Sequence, residues 1–181
     1  KNQLDIICLT EIKLDQSFPK KQFYIEGYHM YRMDRTSKGG GVMIYLRDHI
    51  ASRDLTKIYA PKDLEGICLE INFKKSKWFL FAGYNPTKNN IEPFLDKIGS
   101  ILDKCIRKYD NLILVGDFNY SSEANVLKNF CNDYHLENLI HEPTCFKNML
   151  NPSSIDVMLT NETKSFYQSK TIETGLSDFH R

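Results

Sequence analysis

Asp117 and Asn119 stand directly after an unbroken apolar run in the stretch LILVGDFNY, residues 112–120. Turns that follow buried strands are usually built from residues that suit a backbone conformation. Here the turn carries a carboxylate and an amide around the bulky Phe118. The same placement recurs along the chain: Thr10-Glu11 follow LDIICL, and Tyr84-Asn85 follow WFLFAG. Thr144 sits in EPTCF, Asp156 lies inside SIDVMLT, and GLSDFH supplies Ser177, Asp178 and His180. If these strand ends share one edge, carboxylates, amides, a phenol and a histidine converge there. Magnesium takes hard oxygen ligands and keeps much of its water, so one or two carboxylates suffice when a phosphate completes the shell. A second carboxylate orients or deprotonates the attacking water, neutral Asn and Tyr bind phosphoryl oxygens, and a histidine held by an aspartate moves a proton or stabilises charge. The inventory suits metal-assisted phosphodiester hydrolysis.

The elements that must position these groups are mostly strands. LDIICL (4–9) is a short continuous apolar run, the pattern of a strand covered on both faces. YHMYR (28–32) and GVMIYLRD (41–48) read as a strand pair, the second entered through Gly39-Gly40-Gly41. GICLEINF (66–73) puts Ile67, Leu69, Ile71 and Phe73 on one face, and KWFLFAGY (77–84) is another apolar strand. A helix is expected over about 91–108, with Ile91, Phe94, Leu95, Ile98, Leu102, Cys105 and Ile106 on one stripe and Pro93 in the first turn. A strand at 112–115 precedes a second helix starting at Ser121 or Ser122, with Leu127, Phe130, Cys131 and Tyr134 at helical spacing. SIDVMLT (154–160) alternates, so Asp156 and Met158 share a face opposite Ile155, Val157 and Leu159. A last strand is expected within 165–173. Too many successive strands lack a crossover helix for one doubly wound sheet; the pattern predicts an α/β (α+β) fold of two sheets packed face to face with helices outside.

Composition narrows the class without choosing a partner. The 181 residues suit one domain, and 41% apolar and 26% charged residues are ordinary for a globular protein. A net charge of +1 gives no bulk argument for nucleic acid or membrane. Arg32, Arg35, Lys38, Arg47 and Arg53 face only Asp34 and Asp48, a basic segment best read as a solvated face. Five cysteines without CxxC spacing, mostly within apolar runs, are expected as buried free thiols in a reducing compartment, hence an intracellular protein, nuclear and cytoplasmic. His29, His49, His135 and His141 show no metal-ligand spacing. No apolar run approaches the ~20 residues of a membrane span.

In order, the segments LTE, GGGVMIYLRD, GYNP, GDFN, NPSSIDVMLTN and GLSDFHR resemble the endonuclease/exonuclease/phosphatase superfamily, and most of all the apurinic-type endonuclease domain of non-LTR retrotransposons. The resemblance runs from Asp5 to Arg181. It implies a two-layered β-sandwich flanked by helices and a Mg²⁺-dependent (Mn²⁺ possible) endonuclease that nicks DNA, with a fused or associated reverse transcriptase. Residue by residue, it implies that Glu11 binds the metal and that Asp178 lies near it. Asp117 would orient or activate the water, Asn119 would hold a phosphate oxygen, and Tyr84 would contact the scissile phosphate. Asp156 and His180 would form an Asp–His pair supported by Thr144.

The resemblance is incomplete at both ends. The family places an asparagine-bearing central strand and a helix ahead of LDIICLTE, so the chain is expected to be a piece of a longer protein, catalytically incomplete by itself. Phe179 separates Asp178 from His180 where the family has Ser-Asp-His; on a strand one inserted residue reverses the facing of every later residue, and a local bulge is expected to restore His180. Bland alternatives stand beside each role. Glu11 suits a first helical turn, Asp117 and Asn119 suit a turn, and Tyr84 suits a rim. Asp156 is harder to set aside, because an acid among apolar strand residues needs a partner. Two other functions stay open: a phosphatase of the same superfamily, and a degenerate domain that binds nucleic acid or protein without catalysis.

Overall fold

The structure, a computed structural model, describes residues 4–73 and 75–172. In chain order the elements are β1 (Ile6–Thr10), a 3₁₀ turn (Lys20–Phe23), β2 (Tyr28–Met33), β3 (Val42–Arg47), β4 (Ser52–Asp54), α1 (Thr56–Tyr59), β5 (Gly66–Phe73), β6 (Ser76–Tyr84), α2 (Glu92–Cys105), β7 (Asn111–Asp117), α3 (Asn125–Asp133), β8 (Glu137–Asn138), β9 (Asp156–Thr160) and a second 3₁₀ turn (Thr163–Ser165). The strands form two sheets, one of three strands in the order β1-β3-β2 and one of six in the order β4-β5-β6-β7-β9-β8.

Period-two patterning decides how the sheets meet. Val42, Ile44 and Leu46 of β3 pack against Ile67, Leu69 and Ile71 of β5 and against Trp78, Leu80 and Ala82 of β6, giving a dry layer between the sheets. The opposite residues of the larger sheet, among them Phe79, Phe81, Leu112 and Leu114, meet Phe94, Leu95, Ile98 and Leu102 of α2 and Leu127 and Phe130 of α3. Each fully buried Phe, Leu or Ile contributes about 1.5–3 kcal/mol. The outer face of the smaller sheet is covered by Leu14, Ile12 and Phe23 of the segment after β1. The sandwich and its outer helices are as the sequence predicts.

Details depart from the sequence reading in four places. Ile106 is 43% exposed: it caps α2 with helical dihedrals and its N–H donates to the Leu102 carbonyl, but its side chain lies outside the buried core cluster. The second helix starts at Asn125, because Ser121 and Ser122 form a turn in which the Ala124 N–H donates to the Ser121 carbonyl and the Ser122 N–H to the Ser154 carbonyl. No strand forms over 165–172 among the described residues; the N–H groups of Ser165 and Phe166 close 3₁₀ bonds to Glu162 and Thr163, and that of Thr171 donates to the Glu142 carboxylate. The basic segment is a solvated face only in part: the Arg32 side chain is 3% exposed and paired with Asp34, whereas Arg35 and Arg53, 42% and 66% exposed, pair with Glu65 and Glu70 at the surface. Arg32 also donates to the Asp15 and Phe18 carbonyls, fastening the covering segment to β2.

Candidate active site

Three neighbouring strands of the larger sheet bring the candidate residues into a row. β6 and β7 run parallel, with Tyr84 opposite Asp117; β7 and β9 run antiparallel, with Asp117 opposite Asp156. All three sit on the same pleat parity as Trp78, Leu80, Ala82 and Ile113, the face turned toward the smaller sheet. Tyr84 is 5% exposed and Asp117 4%. β1 reaches this row from the other sheet, and the residue just past its end, Glu11, accepts a 2.5 Å hydrogen bond from the Tyr84 hydroxyl, although the two are 73 positions apart.

The Tyr84 phenol registers the whole cluster. Burial, the Glu11 hydrogen bond, and the negative charges of Glu11 and Asp117 raise its pKa far above the ordinary phenol value, while a hydrogen bond from the Asn119 amide pulls the other way. Tyr84 is therefore a neutral donor throughout the physiological range. Burial is the largest cause, and the two carboxylates add to it.

The turns that carry these groups are tied to one another. The Asn119 N–H donates to Asp117 Oδ1 at 2.8 Å, and Asn119, in the left-handed region at φ 49°, donates Nδ2 to the Asn85 carbonyl at 2.9 Å. Asn85 is 2% exposed; its N–H donates to the Asp117 carbonyl and its Nδ2 to the Phe118 and Thr87 carbonyls. Phe118, fully buried, meets Phe94 edge-to-face at 5.0 Å between centroids. The aromatic residue inside LILVGDFNY is thus the anchor that holds Asp117 and Asn119 at the surface of the core. Gly116 is the residue the turn requires: a Cβ there would lie 1.8 Å from the Gly83 carbonyl oxygen.

Thr144 is 3% exposed, and its Oγ1 accepts the N–H groups of Ile155 and Asp156, each at 3.2 Å. It fixes the backbone that presents Asp156. Asp156, Thr144, Thr10 and Lys170 help line a cavity of about 310 Å³ beside the row. The structure thereby gathers Glu11, Tyr84, Asp117 and Asn119 into one cluster, with Asp156 and Thr144 adjoining it. Ser177, Asp178 and His180 lie outside the described residues. Asn85 stands among the strand-end polar residues of the sequence, but its role, tying the Asp117–Phe118 turn to the end of β6, comes only from its hydrogen bonds.

Among the described residues no three His, Cys, Asp or Glu side chains stand close enough together to hold a metal by themselves. The donor set is two carboxylates, the exposed Glu11 and the buried Asp117, with neutral Tyr and Asn around them. That fits a hydrated Mg²⁺ or Mn²⁺ completed by a substrate phosphate, and not a Zn²⁺ cage of His and Cys.

The chain belongs to the endonuclease/exonuclease/phosphatase family, which it matches over residues 1–178. It is similar in fold to the endonuclease domain of TRAS1, a telomere-specific non-LTR retrotransposon, with a TM-score of 0.64 and 17% identity over 86% of this chain and 71% of that one. It is likewise similar to the 3′–5′ exonuclease NExo of Neisseria meningitidis, with a TM-score of 0.64 and 16% identity over 90% and 78% of the two chains. D. rerio TDP2 complexed with a single-strand DNA product gives a TM-score of 0.60 at 12% identity over 91% of this chain and 73% of that one. No curated protein sequence matches. The fold is that of phosphodiesterases, nucleases and phosphatases.

Proposed function

We propose that this chain is the catalytic domain of a divalent-metal-dependent DNA endonuclease that nicks target DNA for retrotransposition, in partnership with a reverse transcriptase inside the cell. One observation carries the reading: the Tyr84–Glu11 hydrogen bond joins the two sheets beside Asp117, bringing distant acids to one rim. Enzymes of this family generally use divalent metals. On the family assignment Glu11 and Asp178 would hold Mg²⁺, which would supply neutralisation of the phosphate charge.

The chain's own residues do the rest. Asp117 orients a water and accepts its proton as the water oxygen bonds to phosphorus. Tyr84, still protonated, donates to a phosphate oxygen in place of Glu11, and Asn119 donates through its amide. The P–O3′ bond breaks, leaving the phosphate on the 5′ end, and the leaving oxygen takes up a proton from solvent, giving a 3′-hydroxyl able to prime synthesis. Thr144 fixes the Asp156 backbone, and on the family assignment His180 would act with Asp156 to stabilise the developing charge.

Supercoiled plasmid incubated with the protein expressed from its full reading frame, in Mg²⁺ or in EDTA, tests this. Mg²⁺-dependent nicking that falls about 10²–10⁴-fold in Asp117→Ala is expected. Nicking indifferent to that substitution overturns the reading. So does salt-sensitive DNA binding without cleavage, the mark of a non-catalytic domain, or turnover of small phosphoesters in preference to plasmid, the mark of a phosphatase.

A further inference from the structure

The Glu11–Tyr84 pair is a contact between two sheets, and nothing in either sheet's own hydrogen-bond ladder sets its distance. One side chain bridges the sheets beside it. Glu65, just ahead of β5, accepts the Gly41 N–H on Oε2 at 3.0 Å, and its backbone carbonyl accepts the Tyr84 N–H at 2.9 Å. Gly40 and Gly41 in turn hold the residues after Glu11: the Lys13 N–H donates to the Gly40 carbonyl at 3.0 Å and the Ile12 N–H to that of Gly41 at 3.4 Å. Glu11 and Lys13 themselves take φ values of 51° and 53°, a strained path that needs external restraint. Arg35 fixes the carboxylate by donating Nη1 to Glu65 Oε1 at 2.8 Å. Glycine is required in this loop: a Cβ on Gly40, at φ 75°, would lie 2.4 Å from Arg35 Cδ and 2.5 Å from Glu65 Oε2.

We infer that Glu65, clamped by Arg35, is a positioning residue that sets Glu11 against Tyr84 and so tunes the affinity of the site for its divalent cation. The cation part of this rests on the function proposed above; the positioning part does not. Glu65 is 17% exposed at its side chain and Arg35 42%, so neither is a core residue whose loss must collapse the fold.

Two readouts separate the parts. In protein labelled with ¹³Cζ-tyrosine, the Tyr84 resonance is assigned by its absence in Tyr84→Phe. It should move in Glu65→Ala as it does in Glu11→Gln, and stay in place in Lys97→Met, which breaks the remote Lys97–Asp63 pair. In plasmid nicking, Glu65→Ala should raise the Mg²⁺ concentration for half-maximal rate about tenfold, the lower end of what loss of a ligand-supporting contact costs. Glu65→Gln, which keeps an acceptor for the Gly41 N–H, should raise it only about threefold, an intermediate effect within the same logic. A Tyr84 signal unmoved in Glu65→Ala overturns the positioning role, whether or not the wild type nicks DNA. A moved signal with an unchanged Mg²⁺ requirement overturns the cation-tuning role alone. If the wild type fails to nick, the functional reading falls and the resonance still decides the positioning.

Discussion

Replacing Thr144 by Val tests how Asp156 is held, because it removes one oxygen while keeping the side-chain shape. That oxygen is the acceptor for two backbone N–H groups, Ile155 and Asp156, in a residue only 3% exposed. Leaving a buried donor unsatisfied costs roughly 1–3 kcal/mol. Both bonds are at the long end of the N–H···O range and both are half-buried, so about 1 kcal/mol each, or ~2 kcal/mol together, is the expected loss. For a chain of this length that is a fall in Tm on the order of 4–8 °C. Thr144→Ser keeps the oxygen and loses a methyl, at a cost of about 0.8 kcal/mol. Urea unfolding followed by the fluorescence of Trp78, which lies in the same sheet as Asp156, measures both. The nicking rate should follow the hydroxyl: Thr144→Val lowers it about ten- to a hundredfold through misplacement of Asp156, and Thr144→Ser leaves it nearly intact. Equal stability and equal rates for the two variants would mean that the hydroxyl does not hold Asp156, and the account of that side of the site would fail.

Two further expectations concern the scaffold. Gly116→Ala places a methyl 1.8 Å from the Gly83 carbonyl oxygen at φ +148°, where backbone of two paired strands must part; a loss above about 3 kcal/mol, or insoluble protein, is expected, and a soluble variant of wild-type Tm would refute the strand register there. Burial raises Cys105 from 9.0 to about 11 and Cys131 likewise. A raised folded pKa means stability is full below pH 9 and is lost as pH climbs toward 11. The urea midpoint should therefore be flat from pH 7 to 8.5 and fall by about 2 kcal/mol equivalent for each of these thiols by pH 11, with a shallower fall in Cys105→Ala; a midpoint unchanged across that range would show the thiols to be solvated.

Much of this was legible because it follows from periodicity. Alternation in residues 66–73 and 154–160 sorted the side chains into two faces, and parity alone put Asp156 with Met158 opposite Val157 and Leu159, which the structure packs against the helices. The unbroken run at 112–115 marked a strand buried on both sides, and Phe118 marked its anchor. Local pattern could not reveal partners supplied by distant segments. Arg32, Arg35 and Arg53 cluster in sequence and so suggested a basic surface, yet each is consumed by an acid, two of them far along the chain. Asn85 and Glu65 act through backbone groups of other strands, which no residue spacing encodes.

Strand direction explains why these residues meet at one rim. A parallel pair needs a crossover, and α2 supplies it between β6 and β7, so both strands end at the same edge and deliver their last residues, Tyr84 and Asp117, side by side. β9 runs the other way, so its first residue must serve, and that residue is Asp156. Register within the larger sheet is set by a ladder of backbone hydrogen bonds and resists small shifts. Glu11 belongs to the other sheet and is held to this rim by side-chain packing and by the Glu65 bridge. Perturbations of the inter-sheet layer should therefore separate Glu11 from Tyr84 while leaving Asp117 opposite Asp156, weakening the site from the Glu11 side first.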